Sequence, residues 1–293
     1  MDLRAILMGF GFAFMWSSAF TSARIIVASA PPMGALALRF AISGIIAVAL
    51  ARMLGQSWHL TRSQWRATII FGICQNALYL GLNFIAMQWI EASLAAIIAS
   101  TMPLLVAFAG WAFLGDRLRP MGYIGLLMGV AGVVLIMGAR LSGGVDIWGI
   151  ALCAIGAVSL AVATLSLRGA SGGGNFLMVV GLQMLVGSAV LTVPALALET
   201  FTVDWSIQLI AAFAYTTLIP GLAATLVWFH LVERIGAIRA ATFHFLNPFL
   251  GVSIAAVLLS ESLRSADMIG ALIIAAGILA VQLSKAPAVN NSK

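Results

Sequence analysis

The chain has little charge for its length. Only 8% of its 293 residues are charged, whereas a typical soluble domain carries about a quarter. Hydrophobic residues make up 62% of the sequence, so lipid is the expected solvent for most of the surface. The net charge is +6, but the basic residues are not clustered in the sequence. We therefore expect no nucleic-acid partner.

Groups that ligate metals or act as nucleophiles are also scarce. The two cysteines, Cys74 and Cys153, lie in apolar segments without a Cys or His neighbour at metal-ligand spacing. The three histidines, His59, His230 and His244, form no metal motif. The sequence has no phosphate-binding Gly-Lys loop and no evident Ser/His/Asp set. We therefore expect no cofactor, no metal and no enzymatic activity.

Ten apolar segments are long enough to cross a membrane as helices, which takes about 20 residues each. The breaks between them are short and rich in Gly, Pro and Ser. The predicted spans are roughly 5–28, 33–54, 66–88, 92–114, 121–139, 146–168, 176–198, 206–232, 237–260 and 266–284. The polar tail 286–293 is predicted to be disordered.

Basic residues and tryptophans indicate how the spans are oriented. With the N-terminus inside, eleven Lys and Arg residues fall at inner ends and four at outer ends: Arg24, Arg39, Arg140 and Arg264. Cytoplasmic loops are enriched in positive charge, so both termini are predicted to be cytoplasmic. Five of the eight tryptophans lie near span ends, as in an interfacial belt, whereas Trp16 lies near a span centre.

The second half of the chain repeats the first at a spacing of 145 residues. PLLVAFAGWAFLGDRLRPMGYIGLLMGVAG, from Pro103, matches PFLGVSIAAVLLSESLRSADMIGALIIAAG, from Pro248, without a gap. Because a repeat of five spans has an odd count, the second copy enters the membrane from the opposite face. The predicted fold is an all-α integral membrane protein of ten transmembrane helices in two inverted five-helix repeats, residues 1–140 and 141–285.

Two stretches carry a resemblance to a known family. EASLAAIIASTMPLLVAFAGWAFLGDRL and GAIRAATFHFLNPFLGVSIAAVLLSESL, each followed by a Gly-spaced helix, resemble the drug/metabolite transporter superfamily in its ten-helix EamA-type branch. Within that branch the chain is most similar to bacterial exporters of aromatic amino acids. The resemblance covers essentially the whole chain and implies a multi-pass transporter of the bacterial inner membrane. It leaves the substrate open, because the family handles amino acids, nucleosides, sugars and drugs.

No carboxylate is predicted at the centre of a span. The nine acidic residues lie in loops or at span ends: Asp2, Glu91, Asp116, Asp146, Glu199, Asp204, Glu233, Glu261 and Asp267. Four-helix multidrug members of the resembled superfamily carry a membrane-embedded glutamate for proton exchange, where this chain reads Phe14-Met15-Trp16-Ser17. A proton-driven antiporter of that type is disfavoured. His244 could titrate, but passive facilitated diffusion is the simpler hypothesis.

Polar side chains share one face of the third span. Asn76, Tyr79 and Asn83 stand at i, i+3 and i+7. Their amide and phenol groups could bind the carboxylate and ammonium of an amino acid. Hydrogen bonding to a neighbouring helix explains the same residues equally well.

A second polar cluster lies on the ninth span. His244 and Asn247 precede Pro248, and the matching Pro103 lies close to Ser100. Each proline leaves a carbonyl one turn earlier without its helical donor. Both prolines are therefore candidate hinges, although a static kink fits equally well.

Further candidates lie on other spans. Trp16 and Phe243 would suit a pocket for planar rings, although each could simply pack in the core. Gln183 and Tyr215 are lone polar candidates. Arg24 and Arg39, at similar depth, could attract a carboxylate or could extend to lipid headgroups.

Gly122, Gly125, Gly129 and Gly132 share one face of the fifth span. Small residues let another helix approach closely. We predict that this stripe packs within the chain, with a homodimer contact as the weaker alternative. A monomer in the lipid bilayer is the expected state.

The leading hypothesis is an exporter or facilitator of amino acids, aromatic or neutral, and related small metabolites. It would work by alternating access around a neutral polar cavity. The second hypothesis is an exporter of multidrug or cationic compounds, or of nucleosides or sugars, which could be coupled to protons. A membrane enzyme is the third.

Overall fold

The computed structural model describes residues 3–166, 174–262 and 264–285. Within this part, ten helices are long and apolar enough to cross a membrane. They are α1 (Leu3–Val27), α2 (Pro32–Met53), α3 (Arg62–Ala86), α4 (Ala92–Phe113), α5 (Pro120–Ser142), α6 (Ile147–Ser166), α7 (Phe176–Leu198), α8 (Ile207–Ile235), α9 (Ala240–Leu259) and α10 (Ser265–Ser284). Each predicted span coincides with one helix, and the predicted tail 286–293 lies outside the described residues.

The outer surface of the bundle is apolar. Leu127, Val193 and Val257 are 70%, 70% and 79% exposed, although each lies within a helix that could cross a membrane. In water such a surface would cause aggregation, whereas hydrocarbon solvates it. The chain is a multi-pass membrane protein.

Helix irregularities recur at matching places in the two halves. A π-helical turn spans Gly72–Tyr79 within α3, and another spans Ile219–Ala223 within α8. A shift of 145 residues places the second segment inside the first. Pro220 explains the turn in α8, because proline lacks the N–H that an α-helix needs there.

The breaks before the repeated prolines also correspond. The first half of α4 ends at Ser100, directly before the turn that contains Pro103. In α9 a 3₁₀ turn, Phe243–Leu246, precedes Pro248. Proline is tolerated in the first turn of a helix but not in its interior, so both spans are built as two helical pieces.

The ends of these two helices share an unusual backbone conformation. Ser260 follows α9 with a φ of 55°, and its repeat mate Gly115 follows α4 with a φ of 72°. A left-handed residue is a common way to end a helix. Glycine adopts it without strain, whereas in the second repeat a serine occupies the equivalent position.

Glycines bring α5 and α10 into close contact. A Cβ on Gly125 would lie 2.6 Å from the Gly277 carbonyl oxygen, and one on Gly132 would lie 2.8 Å from that of Gly270. The 145-residue shift turns Gly125 into Gly270 and Gly132 into Gly277. The two contacts therefore exchange under the repeat, as a two-fold axis requires. The predicted close approach at the glycine stripe is confirmed within the chain.

Because the helix count is even, the first and last described residues lie on one side of the bundle, here called the terminal face. The other side is called the distal face. On the distal face, Arg140 of α5 pairs with Asp267 of α10, with Nη2 2.7 Å from Oδ2, and also with Glu91. This cluster ties both repeats together.

Carboxylates and amides also cap helix starts across the repeats. On the distal face, Glu261 accepts the N–H groups of Ala92 and Ser93 at 2.8 and 3.0 Å. A negative group at a helix N-terminus satisfies free N–H donors and the helix dipole. On the terminal face, the Gln56 side chain accepts the N–H of Met178 at 3.0 Å.

Candidate substrate cavity

Three adjoining pockets form a central cavity between the repeats. The wide pocket has a volume of about 400 Å³ and extends from Trp16 to Gln64 and Phe176 near the terminal face. The distal pocket, of about 60 Å³, reaches Met87 near the distal face. The α4–α9 pocket, of about 20 Å³, lies between those two helices. Trp16 borders all three.

An aromatic group forms one wall of the wide pocket. The ring of Phe12 lies 4.7 Å from Trp228, 5.8 Å from Trp16 and 5.4 Å from His244 between centroids. Phe12 and Trp16 are four residues apart and so lie on one face of α1. Such a wall suits contact with a planar apolar group.

The polar face of α3 lies at the junction of the wide and distal pockets. Asn76 borders both pockets, and Tyr79 and Asn83 border the distal one. Asn76 Nδ2 donates to the Gln183 carbonyl at 2.9 Å, and Asn83 Nδ2 donates to the Tyr79 carbonyl at 2.8 Å. These side chains thus line the cavity and also bond to backbone groups. Gln183 itself borders the wide pocket.

The ninth-span cluster borders the α4–α9 pocket. His244, Asn247, Ser100 and Pro103 all line it. Asn247 Nδ2 lies 3.0 Å from His244 Nδ1, while Asn247 Oδ1 is buried and has no hydrogen-bond partner among the described residues. A buried acceptor without a donor costs free energy, so the pocket offers a place for a donor group of a ligand.

Three of the predicted site residues lie away from these pockets. The Tyr215 hydroxyl lies 2.7 Å from Ser18 Oγ, in a contact between α8 and α1. The Phe243 ring packs edge-on against Phe10, with centroids 6.2 Å apart. Pro248 is buried in the first turn of the second piece of α9. Helical periodicity alone did not separate these residues from those that line the cavity.

Arg24 and Arg39, which the sequence places at similar depth, have different surroundings. Arg24 donates to the Met87 carbonyl and borders a separate pocket on the distal face with Glu91. Arg39 is 6% exposed and borders the distal pocket of the central cavity. The sequence left open whether Arg39 attracts a carboxylate or extends to lipid headgroups, and its enclosure favours the first, since a buried charge inside a span is a signal of function.

The cavity lining is mainly apolar, with a small number of polar groups. Among the described residues, no carboxylate borders the wide, distal or α4–α9 pocket. The described part of the chain also has no group of three His, Cys, Asp or Glu side chains that could hold a metal ion. The available chemistry is hydrogen bonding by amides and hydroxyls, contact with rings, and one guanidinium.

Inverted repeats around a central cavity are typical of secondary transporters. The EamA-like transporter family matches the chain twice, over residues 3–138 and 147–283. The chain therefore belongs to the EamA-like transporter family. The two matches coincide with α1–α5 and α6–α10, in agreement with the internal repeat.

Several bacterial transporters are similar to this chain in sequence. The chain is 26% identical to the uncharacterized transporter YvbV of Bacillus subtilis, over 94% of this chain and 90% of that protein. It is 27% identical to the uncharacterized inner membrane transporter YedA of Escherichia coli, over 97% of this chain and 94% of that protein. It is 32% identical to the aromatic amino acid exporter YddG of Ancylobacter novellus, but over only 47% of this chain and 48% of that protein.

A solved crystal structure supports the fold. It superposes with a TM-score of 0.68 over 95% of this chain and 98% of that one, at 23% identity. At this identity the likeness concerns the fold alone.

Proposed function

We propose that the protein exports amino acids, aromatic or neutral, and related small metabolites. The observation that carries the proposal is the central cavity, which combines an aromatic wall with neutral amides and no carboxylate. An amino acid has a carboxylate and an ammonium that need hydrogen-bond partners and a side chain that needs apolar contact. The partial match to an aromatic amino acid exporter points to the same substrate class.

The proposed mechanism is alternating access. Two inverted repeats can exchange conformations, so that a cavity open on one side in one state opens on the other side in the next. The wide pocket extends toward the terminal face, whereas ion pairs and capping carboxylates join the helix ends at the distal face. We assign this arrangement to a state in which substrate enters from the terminal face.

Pro103 and Pro248 are the proposed hinges in this mechanism. Both lie where a span is divided into two helical pieces, and such joints absorb changes of backbone angle. The moving units are the repeats, residues 1–140 and 141–285. Both termini are assigned to the cytoplasm of a bacterial cell, and the protein to the inner membrane as a monomer.

Transport is proposed to be facilitated diffusion. A cation exporter driven by protons is expected to need a carboxylate at the substrate site, and none borders the three pockets in the described part of the chain. His244 is the one titratable imidazole at the cavity wall among the described residues. Substrate would therefore move down its own gradient.

Uptake of labelled phenylalanine, tryptophan and leucine into proteoliposomes tests the proposal. We expect saturable uptake that an imposed pH gradient does not change. Uptake that requires the gradient would contradict facilitated diffusion and direct attention to His244. Absence of uptake for every amino acid, with uptake of nucleosides or cationic dyes in the same vesicles, would contradict the substrate assignment.

A further inference from the structure

Arg39 is a charged group enclosed by the bundle. It lies on α2 and is 6% exposed, so its guanidinium does not extend to lipid headgroups. Beside it in the distal pocket are Tyr79, Asn83 and Gly221. A Cβ on Gly221 would lie 3.5 Å from Arg39 Nη2, so this glycine lies directly beside the guanidinium.

One part of the guanidinium is bound to the protein. Arg39 Nε donates to the Thr216 carbonyl of α8 at 3.2 Å. That carbonyl is available because Pro220, four residues later, has no N–H to return to it. This bond holds the arginine side chain in the cavity wall.

The terminal nitrogens have no hydrogen-bond partner in the described part of the chain, although the guanidinium carbon lies 5.1 Å from the centroid of the Phe40 ring. Arginine carries five N–H donors, of which Nε provides one, and no hydrogen bond of the other four is found there. Among the residues that the structure describes, no carboxylate pairs with Arg39, whereas the similarly buried Arg140 has two, Asp267 and Glu91. A buried cation without a counter-charge is strongly destabilising, unless a ligand provides the charge.

We propose that Arg39 binds the carboxylate of the transported molecule, an inference that rests on the proposed function and extends it. The planar fork of a guanidinium matches a carboxylate in two parallel hydrogen bonds. The unpaired Asn247 Oδ1 in the α4–α9 pocket is the matching acceptor for an ammonium. Both pockets share Trp16, Phe20 and Tyr79 as walls, so the two groups belong to one cavity.

Substrates that differ only at the carboxyl group test this assignment. Phenylalanine and phenylalaninamide have the same ring and amino group, but only the first has a carboxylate. We expect Arg39→Gln to reduce exchange of phenylalanine in proteoliposomes by about thirtyfold or more, as for loss of a buried charge pair. Exchange of phenylalaninamide should change by less than about threefold, because a neutral amide does not need the cation.

Two further variants complete the comparison. Arg39→Lys keeps the charge but not the fork, so it should restore part of the phenylalanine exchange. Arg52→Gln removes an exposed arginine at the other end of the same helix, where it stacks on Trp58 at 5.5 Å, and should leave both substrates unaffected. Equal loss of both substrates in Arg39→Gln would assign Arg39 a structural role and overturn the proposal, as would full phenylalanine exchange.

Failure of the proposed function can be told apart from failure of this inference. If the wild type exchanges no amino acid, the thermal stability of the purified protein with 3-phenylpropionate or phenethylamine still tests Arg39. Stabilisation by 3-phenylpropionate in the wild type but not in Arg39→Gln would support a carboxylate site. No stabilisation, or equal stabilisation of both proteins, would overturn it.

Discussion

Arg140 belongs to an ion-pair cluster whose members differ in burial. Arg140 and Asp267 are 3% and 1% exposed, whereas Glu91 is 34% exposed. We expect Arg140→Met to lower the free energy of unfolding by about 3–5 kcal/mol, because Asp267 is left buried without its partner. Glu91→Gln should cost less than about 1 kcal/mol, because that carboxylate is partly solvated.

A double variant tests whether the unpaired charge of Asp267 or the lost packing of the arginine side chain lowers the stability of Arg140→Met. If the unpaired charge causes it, Arg140→Met with Asp267→Asn should be more stable than Arg140→Met alone by about 2 kcal/mol or more, since no charge remains unpaired. If lost packing of the long arginine side chain causes it, the second substitution should give no recovery.

Unfolding in mixed detergent micelles, followed by tryptophan fluorescence, measures these differences. Arg66→Met is the control, because Arg66 is exposed near the terminal face and should change stability by less than about 0.5 kcal/mol. The reasoning is refuted if Arg140→Met is as mild as Arg66→Met, or if the double variant shows no recovery.

Three further substitutions test helix packing and the cavity. Gly125→Leu should lower the free energy of unfolding by about 1–3 kcal/mol, because its Cβ would lie 2.6 Å from a carbonyl oxygen of α10. Gly138→Ala is the control: it lies in open space on the same helix and should have little effect in the same unfolding assay. Trp16→Ala should raise the KM of phenylalanine exchange about fivefold, because the lost ring contact is worth about 1 kcal/mol. Trp111→Ala, on the outer surface, should leave this KM unchanged. Pro248→Ala should slow maximal exchange without weakening substrate-induced thermal stabilisation; an unchanged rate would indicate a static kink.

Much of the fold could be predicted because the lipid bilayer restricts the length, composition and secondary structure of each span. A span must be long, apolar and helical, so ten segments follow from hydrophobicity alone. The repeat is visible from Pro103 to Gly132, where close helix packing and proline breaks restrict the residue type. The contact between Gly125 and Gly277 is the structural reason that the glycine spacing recurs.

The cavity was harder to predict because successive helical residues point about 100° apart. Whether a polar side chain meets the cavity or a neighbouring helix depends on packing between distant segments. Tyr215 contacts Ser18 of α1, and Phe243 packs against Phe10 of the same helix. Arg39 enters the cavity wall because α8 offers a free carbonyl, which the sequence of α2 does not reveal.

The central claim is that one cavity becomes accessible from both faces of the membrane. A single cysteine in place of Thr225, which borders the wide and distal pockets, can report it in a background of Cys74→Ala and Cys153→Ser. Membrane-impermeant thiol reagents are applied to either side of oriented vesicles. The account predicts labelling from both sides, with phenylalanine slowing each reaction; labelling from one side only, regardless of substrate, would contradict it.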